Sequence, residues 1–492
     1  MARLTFATLD RLPAAIGRPR YRPQAVPIGI VHLGIGAFHR AHQAIVTDDV
    51  LASEGGSWGI CGVSLRSPDV RDRLAPQDGL YTAIERSAAG VRRRVVGSVR
   101  EVLCLADERA TVLQRLASPE VAIATLTVTE KGYCHQPATG KLDFAHPAIV
   151  HDLAHPDAPV SASGVLVHAL ARRRESHGRP ISIVCCDNLP GNGALVGALV
   201  RELAAALDPQ LAAWIEREIA FPSTMVDRIV PATTPADVAE NDAALGCEDR
   251  APVVHEPFLQ WVIEDRFAAS RPPWEHAGAT LTADVAPWET MKLRMLNGTH
   301  SALAYLGYLA GHQYVHEVVA RPDFAAWADR FMSREVVPTL VVPPGADIDA
   351  YRDSLLARFA NPALAHRTWQ IAMDGSQKLP QRILATVRAN LVTGREVGDA
   401  ALAVAGWMRY VRGDDEAGKP IDVSDPLASR FTAIASRCGG DPDAYARALL
   451  ALTEVFGDDL AAEPRFVSAV SGWLATLCRD GAASAVVQAL RR

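Results

Sequence analysis

Four polar side chains that can move or stabilise a proton stand close together between residues 289 and 300. With about 100° per residue and Lys292 at zero, a helix puts Glu289 at about 60°, His300 at about 80° and Asn297 at about 140°. A solvated polar face is the alternative, but Asn and Gly at 297 and 298 are poor helix formers and suit that purpose badly. Lys292 is one of five lysines among 50 basic residues, and lysine can lose its proton in a protein whereas arginine cannot. The pattern favours a functional face.

A second polar cluster follows an apolar, strand-like run. The run Ile-Ser-Ile-Val-Cys-Cys ends at Cys186 and leads into Asp-Asn-Leu-Pro-Gly-Asn-Gly at residues 187–193. Ligand sites of parallel sheets lie beyond the carboxyl ends of the strands, which places Asn188 well. The same residue types also make an ordinary turn without chemistry, and the sequence leaves both interpretations open.

A glycine turn follows the apolar run 28–33. Gly34-Ile-Gly36 opens a predicted helix, Ala41–Ser53, as in turns that bring backbone N–H groups close to a pyrophosphate. The third position of the G-x-G-x-x-G pattern is His39, so an ordinary turn stays an alternative. After the next apolar run, Asp69 is placed to bind the ribose of NAD, and Arg66 to face the 2′-phosphate of NADP. The choice between the two dinucleotides stays open.

The elements that must position these residues alternate between strand and helix in the first half of the chain. Strands are predicted at 28–33, 59–65, 121–129 and 181–186, with helices such as 108–116 and 162–176 between them. Near-continuous apolar strands of this kind predict a parallel sheet covered on both faces. After a stretch rich in Pro and Trp, the pattern becomes helical, for example at 289–310, 381–391 and 400–411. We therefore predict a Rossmann-type α/β domain over 1–285 and a mainly α-helical domain over 286–492.

Composition excludes several classes of protein. The chain has 492 residues, 49% of them hydrophobic and 22% charged, so it is folded rather than disordered. A net charge of −6 offers no general basic field for nucleic acid or an anionic membrane. The sequence has no apolar run of the length that spans a bilayer and no signal-peptide pattern at its start. The eight cysteines contain no Cys-x-x-Cys pair, which favours a reduced, cytoplasmic protein without a structural zinc site.

Several windows together resemble the polyol-specific long-chain dehydrogenases, the family that contains mannitol 2-dehydrogenase and fructuronate reductase (D-mannonate oxidoreductase). They are His32–His42, Thr127–Tyr133, Cys186–Asn192 and, most specific, the K-x-x-x-x-N-x-x-H pattern from Lys292 to His300. The resemblance covers nearly the whole chain. It implies NAD(P)-dependent hydride transfer without a metal ion, and a monomeric enzyme. The cofactor-binding residues expected in these windows and after the second strand are Gly34, Gly36, Phe38, His39, Arg40, Asp69, Thr129 and Lys131.

The resemblance also implies the catalytic roles. Lys292 matches the general base, Asn188 and Asn297 the pair that stabilises the oxyanion, His300 a residue that orients the substrate, and Glu289 a carboxylate that passes protons to solvent. A neutral lysine requires its pKa to fall from about 10.4 towards the working pH, and lowering the pKa by two costs about 2.7 kcal/mol. No tyrosine has a lysine four residues later, so the Tyr-x-x-x-Lys pair of short-chain dehydrogenases is absent.

The substrate prediction depends on a second window, 370–382. Its Gln-Lys-Leu-Pro-Gln-Arg run looks more like the fructuronate reductase branch, and mannitol dehydrogenases tend to have arginine where this chain has Gln370. Lys378 and Arg382 would bind a substrate carboxylate, and Asp227 matches another part of the substrate pocket. Arg382 serving only to cap or pair at a helix start is the structural alternative.

We therefore favour fructuronate reductase, with D-mannonate and D-fructuronate as substrates. Mannitol 2-dehydrogenase or a related arabinitol or altronate dehydrogenase is the alternative. A catalytically inactive nucleotide-binding protein is a further alternative, although such a protein needs no base. We expect a small-molecule partner and neither nucleic acid nor a membrane.

Overall fold

The computed structural model describes residues 1–136 and 139–492, without the side chains of residues 130 and 131. The chain divides into two compact units, unit 1 over Met1–Ala286 and unit 2 over Pro287–Arg492. Unit 1 contains the described strands, and unit 2 is built from helices.

The strands of unit 1 are β1 Ile28–Leu33, β2 Gly59–Ser64, β3 Tyr81–Ser87, β4 Gly90–Val96, β5 Val99–Cys104, β6 Ile123–Leu126, β7 His135–Gln136, β8 Lys141–Leu142, β9 Ser182–Cys185, β10 Thr224–Asp227, β11 Val253–His255, β12 Gln260–Glu264 and β13 Thr280–Thr282. A parallel sheet has the order β5-β2-β1-β6-β9. Smaller sheets have the orders β10-β12-β13 and β11-β3-β4, and β7 pairs with β8. The chain adds β2 and β5 on one side of β1, and then β6 and β9 on the other side. The strand order therefore reverses between β1 and β6, which is where open sheets of this type bind ligands.

The helices of unit 1 are α1 Ala37–Ala41, α2 Gln43–Ser53, α3 Asp69–Leu74, α4 Leu105–Leu116, α5 Pro147–Ala154, α6 Ala162–Ser176, α7 Asn192–Leu207, α8 Pro209–Glu218 and α9 Pro235–Leu245. They cover both faces of the parallel sheet. Val31 and Leu33 of β1 pack in one apolar cluster with α4, α6 and α7, whereas Ile30 packs in another with α2. Alternate residues of a strand point to opposite faces, so β1 packs against apolar side chains on both faces. The predicted α/β class is confirmed.

Two local predictions in unit 1 were wrong in detail. The helix predicted to begin at Ala41 begins at Ala37, breaks at His42 (φ −130°, ψ −95°) and restarts at Gln43. The strand predicted to run to Thr129 ends at Leu126. Thr129, which was predicted to lie in this strand, has a φ of +68°, outside the range of strand residues.

Unit 2 is mainly helical, as predicted. Its α-helices are α10 Ala286–Met291 (which starts at the last residue of unit 1), α11 Thr299–Leu309, α12 Val315–Val319, α13 Pro322–Arg330, α14 Ile348–Phe359, α15 Thr368–Ala372, α16 Gly375–Leu379, α17 Ala385–Val392, α18 Gly398–Val411, α19 Ala428–Cys438, α20 Pro442–Leu450, α21 Thr453–Ala461, α22 Pro464–Asp480 and α23 Ala482–Leu490. Three π-helical segments interrupt the α geometry: Lys292–Gly298, Phe331–Val336 and Pro380–Leu384. Such segments frequently mark functional positions.

Across residues 1–136 and 139–492, no helix has both the length and the apolar character needed to cross a membrane.

Candidate active site

The glycine turn 34–36, called here the nucleotide turn, lies at the carboxyl end of β1. Gly34 has a φ of +100°, and a Cβ atom there would lie 2.1 Å from the carbonyl oxygen of Thr127, so only glycine fits. Gly36 differs, because its φ of −93° suits any residue and a Cβ atom would meet nothing closer than 3.7 Å. Neither backbone conformation nor protein packing requires glycine at position 36. The open space beside it fits the close approach of a dinucleotide phosphate.

His39, at the third position of the glycine pattern, packs α1 against β1. Its ring stacks on that of His32 with 3.4 Å between the centroids and 12° between the planes. His39 Nδ1 pairs with Oε1 of Gln43 at 3.1 Å, and both histidine rings are buried. A flat stack therefore achieves the close helix–strand packing that glycine usually permits.

The neighbouring predicted cofactor residues contact other parts of unit 1. Arg40 is buried and donates from Nε to the carbonyl of Gly36 at 3.3 Å and from Nη1 to that of Ala251. Burial lowers the pKa of its guanidinium. Phe38 is half-buried and stacks on His42 with 5.1 Å between centroids. Arg40 thus supports the nucleotide turn from the interior of the fold.

Asp187 joins the loops that follow β6 and β9, two neighbouring strands. Its carboxylate accepts hydrogen bonds from the backbone N–H of Val128 at 2.9 Å and of Thr129 at 3.0 Å. It also accepts one from the hydroxyl of Tyr133 at 2.6 Å. Burial raises the pKa of Asp187, and these hydrogen bonds oppose the rise. Thr129, with ψ of 158°, occupies a region of backbone space used almost only by glycine, so Asp187 helps to hold a strained residue.

Asn188 is exposed directly after Asp187 and carries interactions of its own. The loop that presents it is fixed by Asn192, which donates from Nδ2 to the carbonyls of Asp187 and Thr224, both at 2.9 Å. Asn192 Oδ1 accepts from the N–H of Thr224 at 2.9 Å, at the start of β10. Asp227 is buried at the other end of β10. Asn192 therefore links the loop of Asn188 to the strand that ends in Asp227.

The residues predicted to face the ribose and its 2′-phosphate lie at the surface of unit 1. Asp69 is exposed at the first position of α3, and Arg66 is exposed before it. Both side chains are open to solvent. The side chain of Lys131 lies outside the described part of the chain.

In unit 2, α10, the π-helical segment Lys292–Gly298 and α11 form one continuous helical run, called here the lysine helix. The α-helical angles predicted for this window were wrong, because the segment that begins at Lys292 has π geometry. A π turn connects residues i and i+5, so Asn297 lies one turn after Lys292. The π geometry brings the two side chains to the same face more closely than an α-helix would. Glu289, Lys292, Asn297 and His300 are half-buried.

Close packing explains why the lysine helix contains a poor helix former, Gly298. A Cβ atom there would lie 2.6 Å from the carbonyl oxygen of Arg382, in the π-helical segment Pro380–Leu384. Glycine thus lets two π-helical segments touch. Arg382 in turn donates from Nη1 to the hydroxyl of Ser301 in α11 at 3.1 Å.

His300 lies among cationic groups of unit 2. Its ring stacks on Phe359 at 5.2 Å and lies 5.0 Å from His366, centroid to centroid. Its pKa is held well below the usual value, first by burial and then by His366, Arg382, Arg358 and Lys378. The low pKa favours the neutral imidazole, and three of its causes are the cationic groups Arg382, Arg358 and Lys378.

Lys378 is half-buried in α16 and donates from Nζ to the carbonyls of Ile371 and Met373. These carbonyls fix its ammonium group near His300. Gln370, in the same window, is exposed in α15.

Family models match both halves of the chain. The mannitol dehydrogenase Rossmann domain matches residues 28–276, and the mannitol dehydrogenase C-terminal domain matches residues 284–478. The chain belongs to the mannitol dehydrogenase family. It is thus an oxidoreductase of a dehydrogenase family, as the sequence windows predicted.

Members of this family align with the chain over almost its full length. The D-mannonate oxidoreductase of Escherichia coli K12 is 47% identical, covering 98% of this chain and 99% of its own. The uncharacterized oxidoreductase YeiQ of the same organism is 49% identical, with 98% of each chain covered. The mannitol 2-dehydrogenase of Pseudomonas fluorescens, solved as a ternary complex with NAD and D-mannitol, has a TM-score of 0.85 at 39% identity and covers 100% of both chains.

The sequence predicted no role for two residues that the structure makes prominent. Asp187 lies in the window Cys186–Asn192, but its function as a shared acceptor depends on loops 58 residues apart in sequence. Arg358 belongs to no sequence motif, and only the fold brings it near His300.

Proposed function

We propose that this protein is a dehydrogenase that interconverts a secondary alcohol of a sugar acid with the corresponding ketone, with D-mannonate and D-fructuronate as its substrates. The observation that carries the sugar-acid assignment is the group of cations around His300. Arg358, Lys378 and Arg382 each depress the pKa of that imidazole, and the same field attracts a carboxylate. The 47% identity to a D-mannonate oxidoreductase over nearly the whole chain supports the same choice.

Asp425, one acidic group in this part of unit 2, is held by fixed hydrogen-bond donors. Asp425, which raises the pKa of Tyr305 where Arg382 lowers it, accepts hydrogen bonds from the N–H and hydroxyl of Ser376 at 2.8 and 2.6 Å. It also accepts one from the N–H of Leu427 at 2.9 Å. Its charge is thus partly satisfied by fixed donors.

We propose NAD as the cofactor, held at the nucleotide turn. The fit is supported by Gly36, where the space that a Cβ atom would fill is open, and by the position of the turn between β1 and β6. Gly34 and Gly36 would face the phosphates, and Asp69 the ribose. When bound, NAD accepts the hydride that the alcohol carbon gives up.

The residues of the lysine helix would handle the proton. Neutral Lys292 takes the proton of the substrate hydroxyl. Amide N–H groups of Asn297 and Asn188 stabilise the developing alkoxide without competing for its proton. Glu289, three residues before Lys292, passes that proton to solvent. Neutral His300 orients the substrate by hydrogen bonding.

A neutral polyol is the second candidate substrate. It is favoured by the 39% identity to a mannitol 2-dehydrogenase whose structure contains NAD and D-mannitol. In that case the cations around His300 would bind hydroxyl groups rather than a carboxylate.

Oxidation of NADH or NADPH with fructuronate, tagaturonate and fructose, followed by near-ultraviolet absorbance, tests the proposal. We expect a higher kcat/KM for fructuronate than for fructose. Faster turnover of fructose would overturn the sugar-acid assignment, and no turnover with any of the three would overturn the dehydrogenase assignment.

A variant separates the carboxylate contact from general damage. We expect Lys378→Met to raise KM for fructuronate at least about tenfold, as for a lost charge-assisted hydrogen bond, and KM for fructose less than about twofold. Lys419→Met is the matched control, because Lys419 is exposed in a polar loop. Equal effects on both substrates would contradict a carboxylate contact.

A further inference from the structure

A buried chain of hydrogen bonds connects the interior of unit 1 to the nucleotide turn. His32 of β1 lies between two threonines of the neighbouring strand region: its Nδ1 is 2.7 Å from Oγ1 of Thr125, and its Nε2 is 2.9 Å from Oγ1 of Thr127. Thr127 Oγ1 lies 2.9 Å from the carbonyl oxygen of Gly34. His32 and Thr125 are fully buried.

The donor of each hydrogen bond follows from its end point. The carbonyl of Gly34 can only accept, so the hydroxyl of Thr127 donates to it and must accept from His32 Nε2–H. Burial lowers the pKa of His32 to about 3, so the ring is neutral and Nδ1 accepts. The hydroxyl of Thr125 therefore donates to Nδ1. One tautomer of His32 satisfies every group in the chain.

Gly34 is also fixed from two other directions. Its N–H donates to the carbonyl of Val63 in β2 at 2.8 Å. Its Cα approaches the carbonyl of Thr127 so closely that a Cβ atom would lie 2.1 Å from that oxygen. The carbonyl of Gly34 accepts from the N–H of Gly36 at 2.6 Å, and the Thr127 hydroxyl is a second donor to that oxygen, so both hold the peptide that follows Gly34.

We propose that His32 is a positioning residue of the dinucleotide site, acting through the hydroxyl of Thr127 on the carbonyl of Gly34. The proposal rests on the proposed function, since it takes the nucleotide turn as the place where the dinucleotide binds. It does not involve the groups that handle the substrate proton. Loss of the hydrogen bonds from His32 through Thr127 to Gly34 should therefore weaken cofactor binding and leave the chemical step intact.

The experiment measures the Kd of NADH by fluorescence titration and kcat at saturating NADH and substrate. Thr127→Val keeps the shape of the side chain and removes the hydroxyl. We expect a Kd about tenfold higher, the effect of one buried hydrogen bond, with kcat within about twofold. Thr127→Ser keeps the hydroxyl and should restore the Kd to within about twofold of the unmodified enzyme. Thr386→Val is the matched control, because that buried threonine of unit 2 has a hydroxyl without a hydrogen-bond partner.

Thr125→Val tests the chain without touching Gly34. It removes the donor to His32 Nδ1, and we expect a smaller rise in Kd, about threefold. If Thr127→Val folds and binds NADH as the unmodified enzyme does, the proposal is overturned. If Thr127→Val fails to fold, an unchanged Kd in Thr125→Val overturns it instead. A protein that binds no NADH before any substitution refutes the proposed function, which is a different result.

Discussion

Replacing Gly298 by alanine tests whether contact between two π-helical segments sets the geometry of the lysine helix. The backbone at Gly298 has φ −63° and ψ −53°, which any residue adopts, so only space forbids a side chain. The added Cβ atom would lie 2.6 Å from the carbonyl oxygen of Arg382, where ordinary contact begins at 3.4 Å. The two segments must then move apart by about 0.8 Å, since backbone atoms cannot rotate away.

The magnitude follows from two opposing effects. Overpacking of this kind costs about 1–3 kcal/mol, whereas alanine gains about 1 kcal/mol over glycine in a helix. The free energy of unfolding should therefore fall by no more than about 2 kcal/mol. A displacement approaching 1 Å at groups that act on the substrate can lower the rate by as much as about 100-fold. We expect kcat to fall at least about tenfold in a protein that is still folded.

Urea unfolding and the NADH assay measure the two quantities. Gly472→Ala is the control, because Gly472 lies in α22 and a Cβ atom there meets nothing within 4 Å. The control should be slightly more stable and fully active. If Gly298→Ala behaves like Gly472→Ala in both assays, the contact with Arg382 does not constrain the lysine helix.

Three further predictions concern catalysis, loop stability and pH. Lys292→Met should lower kcat at least about 100-fold, with the Kd of NADH within about twofold, because a general base contributes to the rate and not to cofactor binding; near-normal kcat would remove Lys292 as the base. Asp187→Asn should lower the free energy of unfolding, measured in urea, by about 1–3 kcal/mol, since an amide cannot accept from all three donors of the carboxylate. The control Asp69→Asn, at an exposed position, should change the free energy of unfolding by less than about 0.5 kcal/mol. Equal effects of the two substitutions would contradict the role of Asp187. Burial, followed by Asp399, raises the pKa of Glu335 from 4.5 to about 8. The folded protein then holds a proton that the unfolded chain releases, so stability should fall as pH rises from 4.5 to 8 and this loss should end above 8. Glu335→Gln should flatten that pH dependence in urea unfolding measured at several pH values, and an unchanged profile would refute the assignment.

The sequence predicted those parts of the fold that are set by local pattern. Strand β1 occupies the predicted residues, because an apolar run between turn residues leaves one interpretation. Helix α6 also has its predicted bounds, with Ser161 as N-cap accepting from the N–H of Gly164. The strand β4 was missed because its sequence contains three consecutive arginines. Two of these arginines pair with carboxylates far away in sequence, Arg93 with Glu240 and Arg94 with Asp48. The hydrophobic periodicity of the sequence does not indicate such pairs.

The candidate site was predicted by residue type and only partly by geometry. The window from Lys292 to His300 was identified from its polar side chains, but its π geometry was missed. Position 298 requires glycine because of the carbonyl of Arg382, which lies 84 residues later in the sequence and is not visible in the local pattern. The function of Asp187 was missed for the same reason, since its donors belong to another loop. Side-chain chemistry is a local property of the sequence, whereas close approach of two backbones is not.

The π geometry of the segment Lys292–Gly298 also makes the chain length of this window critical. A π turn holds about one residue more than the 3.6 of an α turn. Deleting a single residue there would remove the extra residue of the π turn and return the segment to α geometry, so that Asn297 would no longer lie one turn after Lys292. His300 and Ser301 would keep their contacts with Phe359 and Arg382, because the π turn absorbs the change in length. A one-residue deletion in this segment should therefore act on the relative position of Lys292 and Asn297 rather than on the contacts of α11.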